Sequence, residues 1–151
     1  MKIDMNYSKQ LLLNLRTLPA MGREDYIVSQ MNEEVVLWLD NWPNWSVLGF
    51  IVYGPAGSGK SHLASALQTL SKGYIIEAQN LTENKLDKLV EHKCLIVEDI
   101  YKLKSERLLL HIYNMMTERK HNFMFTSNVS INEINFKLPD LKSRLLSIPQ
   151  I

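Results

Sequence analysis

The sequence has little of several features that would assign it to a special class. Its one cysteine, Cys94, excludes an internal disulfide, and its place in an apolar run predicts a buried thiol. The 17 basic and 16 acidic side chains leave a net charge of +1, which excludes a whole-chain attraction to nucleic acid or membrane. No apolar stretch approaches the roughly 18 residues of a membrane span, and the opening residues lack the apolar run of a signal peptide. We therefore expect a cytoplasmic protein with no membrane partner.

The bulk composition predicts a single domain with a substantial core. At 151 residues and 46% hydrophobic content, with no repeat or low-complexity segment, the chain is long enough for one domain and short for two. Apolar runs of strand length alternate with helical patterns from residue 47 onward, which predicts βαβ units. We expect an α/β fold with a three-layer parallel sheet of about five strands.

Glycine is also scarce, but three of the six glycines fall between residues 54 and 59. The segment Gly54-Pro55-Ala56-Gly57-Ser58-Gly59-Lys60-Ser61 fits a phosphate-binding P-loop at every required position. Its glycines let successive backbone N–H groups converge on phosphate oxygens, while Lys60 would reach the β- and γ-phosphates and Ser61 would hold Mg²⁺. Chance produces this pattern in roughly one random chain of this length in two hundred. We predict a nucleotide site from Gly54 to His62.

A second signal is a strand that ends in two carboxylates. Four apolar residues beginning at Cys94 lead directly into Glu98 and Asp99, about forty residues after the P-loop. Paired acids also begin ordinary turns, but at this distance from a P-loop they indicate a Walker B element. By register, Glu98 is assigned to Mg²⁺ and Asp99 to orienting the water that attacks the γ-phosphate.

Two later polar positions leave alternatives open. An apolar run from Asn122 ends in Thr126, Ser127 and Asn128, which would either sense a γ-phosphate or simply begin a turn. Further on, Asp140 is predicted to cap a helix that carries Arg144. That arginine would either pair with a local carboxylate or contact a phosphate on a partner.

Two elements are predicted before the P-loop strand. A helix is expected from an Asn32 cap to about residue 41, with Glu33 and Glu34 in its first turn. The three tryptophans near its end would stack on a base or fill a core edge, and a core edge is the more usual place. These tryptophans are Trp38, Trp42 and Trp45.

Residues 1–22 are predicted to form a separate segment ahead of a core over residues 23–151. Within the segment, residues 10–15 combine Gln10 with alternating leucines, so an extended chain would place three leucines on one side and the amide at a pocket rim. The alternative, which the pattern alone favours, is packing on the chain's own domain. The alternating leucines are Leu11, Leu13 and Leu15.

The P-loop, the acid-tipped strand, the polar-tipped strand and the late arginine resemble, in this order and spacing, the AAA+ ATPases and among them the DnaA-like replication initiators. The match covers nearly the whole chain and implies an AAA+ or RecA-like core. Four segments are similar, more narrowly, to the Hda type of regulatory DnaA homologue, which promotes inactivation of ATP-bound DnaA. They are Gly22 to Asp25, Trp42-Pro43, Gly54 to Leu63 and Leu138 to Leu145.

The resemblance implies a role for each motif. Gly54 to Ser61 would bind ATP or ADP with Mg²⁺, and Glu98 and Asp99 would form Walker B. Thr126 to Asn128 would hold sensor I. Arg144 would be an arginine finger that acts in trans, stabilising charge on the phosphoryl group of ATP bound to a DnaA subunit.

The resemblance also implies partners. In this family a Gln-Leu-x-Leu-x-Leu segment docks in the apolar pocket of the DNA polymerase sliding clamp, and residues 10–15 match it, which outweighs packing on the chain's own domain. DNA would then be contacted only indirectly, and self-association stays open.

Two departures from the family bear on activity. Glu98 stands where DnaA usually has aspartate, so self-hydrolysis is not required by the resemblance. The sequence also ends before the family's small helical lid, from which we expect weak nucleotide binding and slow hydrolysis. The alternative function is an autonomous AAA+ ATPase, such as a helicase loader or an initiator core. A complete initiator is disfavoured because no helix-turn-helix pattern follows the core. A small-metabolite kinase ranks third.

Overall fold

The computed structural model describes residues 33–151. This part of the chain contains five α-helices and four β-strands, with short 3-10 turns at residues 78–80, 100–102 and 131–133. The predicted first helix and all four internal strands are present close to their expected bounds. In chain order the elements are α1 (Glu33–Asn41), β1 (Gly49–Tyr53), α2 (Lys60–Ser71), β2 (Tyr74–Glu77), α3 (Glu83–Leu89), β3 (Cys94–Glu98), α4 (Glu106–Glu118), β4 (Asn122–Ser127) and α5 (Pro139–Leu146).

The four strands form one parallel sheet in the order β1-β4-β3-β2. Tyr53 pairs with Ser127 and Glu77 pairs with Glu98, so all four carboxyl ends lie along the same edge. The P-loop leaves this edge from β1, and the polar tips of β3 and β4 lie beside it. This is the edge at which open α/β sheets bind ligands.

A fifth strand position, in a sheet predicted to have about five strands, is present as a single bridge. Gln150 pairs in parallel with Ile51 on the outer edge of β1. The Ile51 N–H donates to the Pro149 carbonyl at 2.9 Å, and the Ile151 N–H donates to the Ile51 carbonyl at 2.9 Å. The sheet therefore has four full strands and a fifth position occupied over one residue pair.

Alternating strand residues divide the core into two layers of side chains, one on each face of the sheet. On one face Phe50 and Ile96 pack in a cluster with residues of α1 and α2. On the other face Ile51 and Val97 pack in a cluster with residues of α3, α4 and α5. The predicted α/β fold with three layers is confirmed.

The tryptophans fill an edge of the core, as predicted. Trp38 is 2% exposed and stacks on Phe50 with ring centroids 4.6 Å apart. Trp45 meets both rings edge-on, and its Nε1–H donates to the Trp38 carbonyl at 2.7 Å. These rings hold α1 against β1, the strand that leads into the P-loop.

The predicted cap of α5 is wrong. Asp140 is not the cap of α5: the cap position is Leu138, and Asp140 lies in the first turn. The reason is Pro139, whose fixed φ and missing N–H suit the first helical position. At α4 the cap position is occupied by Ser105, whose side chain makes no capping hydrogen bond within the described residues.

Candidate nucleotide site

The loop between β1 and α2 has an open, glycine-dependent backbone. Gly57 and Gly59 have φ angles of 80° and 99°, in the left-handed region that side-chain-bearing residues avoid. A Cβ placed on Gly57 would meet no described atom within 4 Å, so the space above the loop is free for a ligand. The Gly54 N–H donates to the Ser127 carbonyl at 3.1 Å, which ties the start of the loop to β4.

Lys60 is the first residue of α2 and is turned back over the loop. Its side chain is largely buried, with 7% of the residue exposed. Its Nζ donates to the carbonyls of Gly54 and Pro55 at 2.6 and 2.9 Å and to Ser58 Oγ at 3.3 Å. Burial lowers the pKa of Lys60, while the negative charges of Asp99 and Glu98 act in the opposite direction. The ammonium is thus held within the phosphate loop.

The two residues predicted to hold Mg²⁺ lie together. Ser61 Oγ donates to Glu98 Oε1 at 3.3 Å, which joins the start of α2 to the end of β3. Burial raises the pKa of the Glu98 carboxyl, the Ser61 hydrogen bond opposes that shift, and the charges of Asp99 and Glu77 reinforce it. A cation at this position would offset both the cost of burying the Glu98 charge and the repulsion among these carboxylates.

A cavity of about 590 Å³ opens over the loop, a size typical of ligand pockets. Of the predicted nucleotide-binding residues, Gly54, Pro55 and Ser58 are not part of its wall. Asp99 does line it and has a left-handed φ of 58°. Sequence reasoning missed Tyr101 and Lys102, although their place just after the carboxyl end of β3 is a usable signal. The lining residues are Ala56, Gly57, Gly59, Lys60, Ser61, His62, Asp99, Tyr101, Lys102 and Asn128.

The structure separates the three predicted sensor residues. Thr126 is 1% exposed, and its Oγ1 accepts a 3.0 Å hydrogen bond from the Asp99 N–H. Ser127 is fully buried, and its hydroxyl donates to the Val129 carbonyl at 2.7 Å. Among the three, Asn128 is the one whose side chain lines the cavity.

Arg144 lies on α5 and pairs locally. Its Nε donates to Asp140 Oδ1 at 3.1 Å, with the two side chains 45% and 60% exposed. Within residues 33–151, the wall of the cavity does not include Arg144. The proposed clamp segment over residues 10–15 lies outside the described residues.

Within residues 33–151, no group of three or more His, Cys, Asp and Glu side chains is placed to hold a metal ion. In the same range, none of the helices combines the length and the apolar character needed to cross a membrane.

Comparison with known proteins identifies relatives in replication initiation. The chromosomal replication initiator protein DnaA of Treponema denticola is 25% identical in an alignment that covers 83% of this chain and 32% of the relative. The chain therefore spans about a third of the length of that relative.

Several solved structures share the fold. DnaA bound to AMPPCP and single-stranded DNA superposes with a TM-score of 0.65 at 20% identity, over 79% of this chain and 44% of that chain. DnaI has a TM-score of 0.62 at 20% identity, over 89% and 87%. The DnaC helicase loader has a TM-score of 0.54 at 19% identity, over 87% and 85%.

A family model described as RNA helicase matches residues 50–136, which include the predicted P-loop, Glu98, Asp99 and the tip of β4. That range is more than half of the chain. The chain belongs to this RNA helicase family of P-loop proteins, and its fold is the AAA+ core found in DnaA and in the DnaI and DnaC proteins.

Proposed function

We propose that this chain is a nucleotide-binding regulator of chromosomal replication initiation, of the Hda type, which promotes hydrolysis of ATP bound to DnaA. The observation that carries the proposal is the position of Arg144 on the surface of α5, outside the wall of the chain's own cavity. Its pair with Asp140 is an exposed i,i+4 salt bridge, a kind that contributes about 0–1 kcal/mol. The guanidinium is therefore easily released to a phosphate on another protein.

The chain's own loop supports nucleotide binding, with ATP or ADP as ligand. The open space over Gly57 and the N-terminus of α2 would receive phosphate oxygens, and Lys60 would exchange a loop carbonyl for one of them. Ser61 and Glu98 would hold Mg²⁺, and Asp99 would orient a water. Bound nucleotide with Mg²⁺ supplies the terminal phosphate and the cation that offsets its charge.

The proposed partners are DnaA and the DNA polymerase sliding clamp, in the cytoplasm, with DNA contacted only through them. Clamp docking is proposed for Gln10 and the leucines of residues 10–15, from their resemblance to the family's clamp-binding segment. The domain boundary at residue 22 belongs to the same proposal, since it would leave the clamp segment outside the nucleotide-binding core.

The second candidate is an autonomous AAA+ ATPase, such as a helicase loader. It is favoured by the placement of Ser61 and Asp99 in the cavity wall, with Glu98 hydrogen-bonded to Ser61, because these residues would serve hydrolysis in the chain's own site.

The deciding experiment measures hydrolysis of radiolabelled ATP preloaded on DnaA, with clamp on DNA and the full chain added. The wild type should stimulate hydrolysis, and Arg144→Ala should lose most of that effect, since an arginine finger contributes roughly 10³ to 10⁵ in other NTPases. Arg107→Ala, which removes an exposed arginine paired with Glu83, is the matched control and should behave as wild type. Equal stimulation by wild type and Arg144→Ala would contradict the finger assignment.

The same preparation tests the second candidate. Hydrolysis of free ATP by the chain alone, abolished by Lys60→Ala and independent of DnaA, would support the autonomous ATPase instead.

A separate binding assay with purified clamp compares wild type with the Gln10→Ala, Leu13→Ala double variant. Equal affinities would remove clamp docking from the proposal while leaving the trans mechanism intact.

A further inference from the structure

Two hydrogen bonds join the turn after β3 to the tip of β4. The first runs from the Asp99 N–H to the buried Thr126 hydroxyl, at 3.0 Å. The second runs from Asn128 Nδ2 to the Tyr101 hydroxyl oxygen, at 2.7 Å. The partners of the second bond lie two residues after those of the first in both segments, so the turn and the strand tip are held together at two points. Movement of Asn128 is thereby coupled to the backbone that carries Asp99.

Tyr101 and Asn128 both line the cavity over the P-loop. The Asn128 amide has two N–H groups, of which one is directed to the Tyr101 oxygen. The Tyr101 oxygen accepts that bond and still has an O–H of its own to donate. The pair therefore presents two donors, which suits an ionised phosphate oxygen because such an oxygen only accepts hydrogen bonds.

We infer that Tyr101 acts with Asn128 as the γ-phosphate sensor and determines how strongly this site prefers a nucleoside triphosphate to a diphosphate. Its hydroxyl orients the Asn128 amide and donates to the same terminal phosphate oxygen. The inference rests on the proposed binding of nucleotide at this cavity. It assigns a role to Tyr101, a residue that belongs to neither the P-loop pattern nor the Walker B pattern.

The ring of Tyr101 has a separate role, so the hydroxyl can be removed alone. Lys102 Nζ lies 5.6 Å from the ring centroid and 4.0 Å from Asp99 Oδ2. Tyr101→Phe keeps the ring under this ammonium and deletes one oxygen. Tyr74→Phe is the matched control, because Tyr74 is exposed on edge strand β2 and is not part of the cavity wall formed by the described residues.

The test is calorimetric titration of the full chain with a non-hydrolysable ATP analogue and with ADP, in Mg²⁺. Tyr101→Phe should lower the affinity for the analogue by about tenfold, the size of one hydrogen bond to a charged group, and leave the affinity for ADP within about twofold of wild type. Asn128→Ala should weaken the analogue selectively too, and the double variant should lose less than the product of the single losses. Tyr74→Phe should match wild type.

The ratio of the two affinities separates a sensor from a structural residue. If the Tyr101 hydroxyl merely supports the fold, its removal would lower the affinity for both nucleotides equally. An unchanged ratio of the two affinities therefore overturns the inference while leaving nucleotide binding established. If the wild type binds neither nucleotide, the proposed function of the cavity fails, and the inference fails with it.

Discussion

Glu106 and Leu138 are joined by a hydrogen bond of 2.9 Å between the Glu106 carboxylate and the Leu138 backbone N–H. The same carboxylate also accepts from the Lys137 N–H at 2.9 and 3.0 Å. Glu106 begins α4, directly after the turn that carries Asp99, and residues 137–138 lead into α5. One side chain thus ties the helix that carries Arg144 to the segment that leaves the nucleotide cavity.

We expect Glu106→Ala to lower the free energy of unfolding by about 1–3 kcal/mol, because it leaves two backbone donors without their charged acceptor. Urea denaturation measures the loss. Glu118→Ala, at the C-terminal end of the same helix, is the control and should change stability little or slightly raise it, since a negative charge there opposes the helix dipole. A Glu106 variant as stable as wild type would show that the carboxylate does not anchor α5.

Thr126→Val should destabilise the chain by about 1–3 kcal/mol, because a valine of similar shape removes the acceptor of the Asp99 N–H. Thr69→Val is the control: the Thr69 hydroxyl donates to the Ser65 carbonyl on the exposed face of α2, where water can take over. Thermal unfolding compares the two variants. Similar small effects for both would mean that the Thr126 hydroxyl does not hold the β3 turn.

The Cys94 thiol should resist alkylation in the folded chain. Burial raises its pKa to about 11, with a hydrogen bond from Ser71 acting weakly in the opposite direction. Only the thiolate reacts, so at pH 8 the labelling rate should be at least tenfold below that of the urea-unfolded chain. As this is the single cysteine, a thiol reagent reports it alone.

The same shift predicts a loss of stability in alkali. A thiol whose folded pKa lies above its unfolded value of about 8.5 favours the folded state fully below that value, and this contribution disappears as pH rises toward 11. The stability difference between wild type and Cys94→Ala should therefore shrink between about pH 8.5 and 11. A difference independent of pH would contradict the buried thiol.

Lys60→Ala should abolish nucleotide binding, because it removes the ammonium held inside the phosphate loop. Calorimetry with ATP and ADP measures the change. Lys88→Ala, in the last turn of α3, controls for the loss of one positive charge and should bind as wild type does. Unchanged binding by the Lys60 variant would reject the P-loop assignment.

The strands and the P-loop were predictable because their signals are local. The apolar runs before Gly54 and Glu98 are each long enough to be a strand, and the glycine spacing of the loop follows from backbone sterics. The α/β class then follows from alternation of these segments with helical patterns. No knowledge of distant contacts is needed for any of these steps.

The details of the site were not predictable in the same way. The sequence offers Thr126, Ser127 and Asn128 as equivalent polar neighbours, and only the position of the β3 turn directs the last one into the cavity with Tyr101. Likewise Asp140 looks like a cap until Pro139 takes the first helical position and leaves the aspartate beside Arg144.

The sequence by itself determined the α/β class, the phosphate loop and the two carboxylates at the end of β3, because each depends on residues adjacent along the chain. Only the tertiary structure decided which polar side chains share the cavity, that Ser61 meets Glu98, and that Arg144 lies on the surface outside the cavity wall. Those relations join residues far apart in sequence, and they exist only once the parallel strands have aligned their carboxyl ends along one edge.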